Sequence, residues 1–127
     1  MTIKLKTVIL ECCDIPQLLS FYTGLLNWPV VYEVDTFVGI CSDKGEVGIA
    51  FQYDENYIPP IWPSQPERQQ IMVHLDFAVT DKEELKEAVE KAIMLGAKIA
   101  SEQYGGEDWV TMVDPAGHPF CFVVWGH

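Results

Sequence analysis

At 127 residues, with 49% apolar and 21% charged side chains, the chain is long enough to bury a core and too apolar to stay disordered. Nineteen acidic against eight basic residues give a formal charge of -11, a field that repels phosphate backbones and anionic lipid and excludes nucleic acid and membrane as expected partners. No apolar run reaches bilayer length and the first residues carry no signal-like core, so a cytoplasmic location is expected. The cysteines (Cys12, Cys13, Cys41, Cys121) show no CxxC spacing and read as free thiols.

Residues 3–12 alternate as a strand. Asp14 then caps a helix, with Pro16 in its first turn and Gln17 at the capping-box position, and Leu18, Tyr22, Leu25 and Leu26 form its buried stripe. Three short strands follow at 30–34, 37–41 and 47–53, separated by Asp35-Thr36 and Asp43-Lys44-Gly45. Residues 56–70 carry Pro59, Pro60, Pro63 and Pro66 around Trp62 and read as a stiff connector, its aromatic residues over a sheet edge or at a subunit contact. The pattern then restarts. Residues 71–79 alternate as a strand, Thr80-Asp81-Lys82-Glu83 offers a second capping box, and Leu85, Ala88, Val89 and Ala92 form a second stripe that Gly96 ends. Strands at 98–104, 109–113 and 119–125 complete the chain, with Gly105-Gly106 and Asp114-Pro115-Ala116-Gly117 as turns.

The two halves are copies of one unit. His74 follows Thr7 at an offset of 67 (74 − 7), and Cys121 follows Ala50 at an offset of 71 (121 − 50), the drift being small insertions. The fold class is therefore α+β: two tandem βαβββ modules, about 3–54 and 71–125, with the helices on one face of the sheet. In the strand around His74 one face is apolar throughout (Ile71, Val73, Leu75, Phe77, Val79) and covers the helix, while Met72, His74, Asp76 and Ala78 make a mixed opposite face suited to a ligand. By the repeat, Val8, Leu10 and Cys12 face the first helix and Leu5, Thr7, Ile9 and Glu11 the other side.

Val8-Ile9-Leu10 running into Asp14, Leu25-Leu26-Asn27-Trp28, His74-Leu75-Asp76-Phe77-Ala78-Val79, and the Asp114-Pro115-Ala116-Gly117 turn before Pro119-Phe120-Cys121 together resemble the glyoxalase/bleomycin resistance/dioxygenase (vicinal oxygen chelate) superfamily. The resemblance spans about residues 5–125. It implies two modules forming a curved mixed sheet with helices on the outer face and an open concave cavity, a homodimer, and, in metal-dependent members, His, Glu or Gln ligands at four strand positions. Those positions here are Thr7, Ala50, His74 and Cys121, of which only His74 suits a magnesium, manganese or iron site.

No metal is therefore expected; a divalent ion, if bound, centres on His74 with Cys121, Asp76 and Glu11 as further donors. The candidate ligand-binding residues are Thr7, Gln52, His74, Asp76, Cys121 and Trp125. His74 is equally readable as a histidine held by a sheet neighbour, and Cys121 as a buried inert thiol. Three functions follow: a metal-free domain binding a small organic molecule in its cavity, a divalent-metal-dependent lyase, isomerase or dioxygenase, or a non-catalytic module that binds protein through the proline connector.

Overall fold

Asp14 and Asp81 each close a strand and open a helix, and both carboxylates act alike. Asp14 Oδ1 accepts the Gln17 backbone N–H at 3.0 Å, and Asp81 Oδ1 that of Glu84 at 2.8 Å. The capping partner in the second helix is thus Glu84, one residue beyond the expected Glu83. Its carboxylate turns back to accept from the Thr80 hydroxyl and backbone N–H. The second helix ends in a Schellman motif: Gly96, at φ +116°, donates to Ile93 O while Ala97 donates to Ala92 O.

The computed structural model describes residues 1–125; His127 lies outside them. The first unit (Met1–Tyr57) holds β1 (Thr7–Cys12), α1 (Ile15–Leu26), β2 (Val30–Val34), β3 (Phe37–Cys41) and β4 (Gly48–Tyr53). The second (Ile58–His127) holds β5 (Leu75–Val79), α2 (Lys82–Met94), β6 (Lys98–Ile99), β7 (Trp109–Val113) and β8 (Pro119–Val124). Each unit builds its own four-stranded mixed sheet, in the orders β1-β4-β3-β2 and β5-β8-β7-β6. The α+β fold of two tandem βαβββ modules is the observed one, and the proline connector belongs to the second unit. No helix among the described residues is long and apolar enough to cross a membrane.

The ladders carry the repeat residue by residue. Val8 pairs with Ile49 in one parallel ladder and Leu75 with Phe120 in the other, offsets of 67 (75 − 8) and 71 (120 − 49). The helix-facing side of each sheet is the core. In the first unit Leu10, Ile49 and Phe51 are buried with Leu18, Phe21 and Tyr22 of α1, and the Tyr22 ring stacks on Phe51 at 5.6 Å. In the second, Phe77, Phe120 and Phe122 meet edge-to-face or tilted, with Leu85 and Ala92 of α2 buried nearby. Leu25 and Leu26 are only half-buried, and Ile15 and Phe21 complete the α1 stripe instead.

Three strands are shorter than expected by more than one residue, and in each the ladder partner decides the end. β1 starts at Thr7 because its partner β4 starts at Gly48. β5 starts at Leu75 rather than 71: Leu75 pairs with Phe120, and one step back on β8 stands Pro119, with no N–H to extend the ladder. Val73 is left exposed rather than covering the helix, and His74 stands just ahead of the strand. β6 ends at Ile99 rather than 104 because a side chain takes half of its next rung: the Ala100 N–H still donates to Thr111 O at 3.0 Å, but the Thr111 N–H turns to Gln103. Gln103 Oε1 accepts the Thr111 N–H at 2.9 Å and its Nε2 donates to Thr111 O at 2.7 Å, as a strand residue would.

Candidate functional site

The open face of the second sheet is set by ladder register. Asp76 pairs with Cys121, and Cys121 with Thr111, so these three lie side by side across β5, β8 and β7 on the side away from α2. Ala78, Val123 and Trp109 form the next row. His74, two residues before Asp76, reaches the same face. Its Nε2 comes to 3.5 Å from Asp76 Oδ1, although same-face residues on one strand stand roughly 6–7 Å apart at the backbone. His74, Asp76 and Cys121 thereby bring an imidazole nitrogen, a carboxylate oxygen and a sulfur within 4.8 Å of one another.

This floor has a roof and a wall. The connector carries Trp62 over it, where the indole meets the His74 imidazole edge-on at 6.3 Å and Tyr104 at 6.0 Å. Trp62 Nε1–H donates to Glu102 O at 2.8 Å, which fixes the ring's direction. A second tie holds the connector: a Cβ placed on Gly117 (φ +95°) would stand 2.7 Å from Pro59 Cβ, so this turn must be glycine on two counts. Trp109 forms the wall, its ring against Gly105, where a Cβ would stand 2.5 Å from the indole. Trp62, Tyr104, Trp109 and Val123 with His74, Asp76, Thr111 and Cys121 enclose a cavity of about 350 Å³.

The groups differ sharply in exposure. The His74 and Asp76 side chains keep 43% and 54% of their surface, whereas Cys121 keeps 3% and Thr111 none. Burial pushes the Cys121 thiol above its ordinary 9.0; Thr111, whose hydroxyl is 3.3 Å from the sulfur, works against this, and the Asp76 charge adds to it. Cys121 is therefore a neutral thiol at physiological pH when nothing is bound, not a nucleophile.

Of the six candidate residues, the structure gathers His74, Asp76 and Cys121. Trp125 lies past the end of β8, 59% exposed, and does not line this cavity. Strand phase alone had put it there. Thr7 and Gln52 belong to the first unit, Thr7 half-buried opposite Gly48 and Gln52 exposed opposite Glu11 and Phe37. Thr111, Trp109 and Tyr104 join the site from outside the six candidates. The first two are brought there by the hairpin register, in which 113 pairs with 119, and so 111 with 121 and 109 with 123; a loop closed on residues 114–117 would have paired 113 with 118. Tyr104 and Gln103 lie in the stretch misread as strand, and no pattern marked them.

The four strand positions that would hold a metal by resemblance do not fit a hard ion. Ala50 has no donor and is fully buried, Thr7 offers only a hydroxyl, and Cys121 offers sulfur. The second unit's imidazole, carboxylate and thiol are a different donor set, suited to a borderline-soft ion.

The glyoxalase-like domain model matches residues 7–123. No curated protein sequence matches the chain. Among solved structures, a glyoxalase/bleomycin resistance protein/dioxygenase family enzyme from Burkholderia phytofirmans PsJN is similar, with TM-score 0.72, 23% identity and coverage of 94% of this chain and 97% of that one. A glyoxalase/bleomycin resistance protein from Albidiferax ferrireducens T118 gives TM-score 0.66 at 18% identity, covering 95% and 98%. The fosfomycin resistance protein FosX from Listeria monocytogenes, in a mutant form complexed with Mn(II) and 1S,2S-dihydroxypropylphosphonic acid, gives TM-score 0.68 at 16% identity, covering 97% and 90%. At these identities the likeness is one of fold.

Proposed function

The chain belongs to the glyoxalase-like domain family, and from that premise we propose that it binds a small, planar, ring-bearing organic molecule in the cavity of its second unit. The observation that carries this reading is the convergence of three aromatic side chains, Trp62, Tyr104 and Trp109, over a polar floor. A volume of about 350 Å³ suits a small metabolite or drug-sized ring. Aromatic walls supply stacking, and the few polar groups set orientation. Asp76 is an acceptor and His74 either donor or acceptor, while the neutral Cys121 adds little.

The charge balance selects further. With a net charge of -11 and Asp76 on the floor, a ligand carrying an amine, amidine or protonated ring nitrogen is favoured over an anion. Trp62 and Tyr104 reinforce this choice through their ring faces. The connector serves the cavity as its roof through Trp62, which favours the ligand-binding reading over a protein-binding one.

The test is a thermal-shift and tryptophan-fluorescence screen of planar cationic, neutral and anionic aromatics, run in chelator on the wild type, Trp62→Ala and Asp76→Asn. Cationic rings should stabilise the wild type, lose stabilisation in Trp62→Ala, and bind Asp76→Asn about tenfold less tightly, the size of one charge-assisted hydrogen bond. Equal responses from wild type and Trp62→Ala would overturn the reading.

A further inference from the structure

The duplication supplies an internal comparison for the floor. Ile9 pairs with Ala50 in the first sheet as Asp76 pairs with Cys121 in the second. Thr7 is the repeat counterpart of His74, and Gly39, which pairs with Ala50, is the counterpart of Thr111. One backbone frame thus carries Thr, Ile, Ala and Gly in one copy and His, Asp, Cys and Thr in the other. The fold needs none of the second set at these positions, since the first copy builds the same sheet without them.

We propose that His74, Asp76 and Cys121 form a binding site for a borderline-soft divalent cation of the zinc class, with the ion's remaining position opening into the cavity beneath Trp62. Three donors of three chemical types converge within 4.8 Å. Tetrahedral zinc with bonds of about 2.0–2.3 Å places its ligand atoms roughly 3.3–3.8 Å apart. His74 and Asp76 already stand at 3.5 Å, and both are exposed enough to close the remaining distance by side-chain rotation toward the fixed sulfur. All three donors come from the second unit, and the site uses neither Thr7 nor Ala50.

Charge and protons balance at such a site. The Cys121 thiol gives up its proton to solvent as the metal–sulfur bond forms, so a dication meets one thiolate and one carboxylate and the assembly is neutral. The Asp76 carboxylate, which disfavours a bare thiolate beside it, becomes a co-ligand once a cation lies between them. Thr111, fixed by Gln103 through both of its backbone polar groups, directs its hydroxyl at the sulfur and stabilises the thiolate by hydrogen bonding. A hard ion such as magnesium gains nothing from sulfur and is not selected.

A bound dication takes up Asp76 and so competes with a cationic ring for the same floor, and the inference is therefore tested with the cation alone as the probe. Chelator-treated chain is titrated with Co²⁺ and then with Zn²⁺ or Mg²⁺, following absorption, proton release and thermal stability. The wild type should develop a thiolate-to-cobalt charge-transfer band that saturates at one ion per chain, releases one proton, and is displaced by Zn²⁺ but not by Mg²⁺. Cys121→Ser should abolish the band, Cys13→Ser should leave it intact, and His74→Ala and Asp76→Asn should each weaken binding at least tenfold while keeping a wild-type circular dichroism spectrum. No saturable band in the wild type, or a band that survives Cys121→Ser, overturns the proposal. Should Cys121→Ser fail to fold, His74→Ala and Asp76→Asn decide alone, and undiminished cobalt affinity in both overturns it.

Discussion

Gly105→Ala tests how the cavity wall is held. The added Cβ would stand 2.4 Å from the Trp109 carbonyl oxygen and 2.5 Å from ring atoms Cγ and Cδ2. Ordinary carbon contacts lie at about 3.5–4.0 Å, so ring and strand must retreat by about 1 Å. The ring alone cannot absorb this, because the oxygen belongs to β7. Trp109 pairs with Val123, and the neighbouring Asp108 carbonyl accepts the Val124 N–H at 2.8 Å. Overpacking of this kind costs about 1–3 kcal/mol, and displacement of paired backbone puts the variant at the upper end. For a domain of this size that is a fall in Tm of roughly 5–12 °C. Gly106→Ala is the control: its φ is +58° but nothing lies within 4 Å, so only backbone strain of about 1 kcal/mol applies. Calorimetry gives the two Tm values, and near-ultraviolet circular dichroism reports the tryptophan environment. If Gly105→Ala proved as stable as Gly106→Ala with an unchanged tryptophan signal, the close packing of Trp109 on residue 105 would be refuted.

Asp114 is buried in its turn and accepts from Ala116 N at 2.9 Å, His118 N at 3.0 Å and His118 Nδ1 at 2.8 Å. Asp114→Ala should cost about 3 kcal/mol, and an unshifted urea midpoint would contradict that. Gln103→Ala should cost about 1–2 kcal/mol by leaving the Thr111 N–H without its acceptor, while Thr111 O keeps the Ala100 N–H at 3.0 Å. Gln103→Glu should do no better, since a carboxylate cannot donate to the carbonyls of Ala100 and Thr111. For metal-free protein, the folded Cys121 thiol titrates above 9.0, so its stability is full below that pH. As pH rises past 9.0 the unfolded chain loses its proton first, and stability falls until the folded thiol ionises. Cys121→Ala should flatten that alkaline slope, measured by urea unfolding at stepped pH. Alkylation at neutral pH followed by mass spectrometry should modify the exposed Cys13 and spare Cys121.

The fold was legible because its signals are local and occur twice. Asp14 and Asp81 cap their helices, the apolar phase of β5 and β8 faces α2, and the offsets of 67 and 71 reappear as ladder register. What the sequence hid was the end of ladders, since a strand stops where its partner stops. Pro119 shortens β5 from across the sheet, and the Gln103 amide ends β6 by taking the Thr111 N–H that a further strand residue would have paired. Both facts depend on which residue lies opposite, and alternation along one strand does not contain that. The site was half legible for the same reason. His74 and Asp76 could be paired along one strand, whereas Trp62, Tyr104 and Thr111 arrive from a connector, a loop and a neighbouring strand.

The repeat also separates what the floor does for the fold from what it does for a ligand. Helix-facing positions are apolar in both copies (Leu10, Ile49 and Phe51 in one, Phe77, Phe120 and Phe122 in the other) because a helix covers each of them. The open-face positions carry no such requirement. Writing the first floor onto the second, with His74→Thr, Asp76→Ile and Cys121→Ala together, asks the sheet for one thing it does not already do in the first unit, since the buried Thr111 stands where that unit has Gly39. The loss is one sulfur's packing, its contact with the buried Thr111 hydroxyl and a half-exposed His–Asp contact, partly offset by relieving the carboxylate beside a buried thiol. The triple variant should unfold within about 2 kcal/mol of the wild type in urea, yet give no cobalt charge-transfer band and no stabilisation by cationic aromatics. Collapse of the variant would mean that the triad is part of the second unit's structure, and the separation of scaffold from site would fail. A folded variant that still bound both probes would place the site elsewhere.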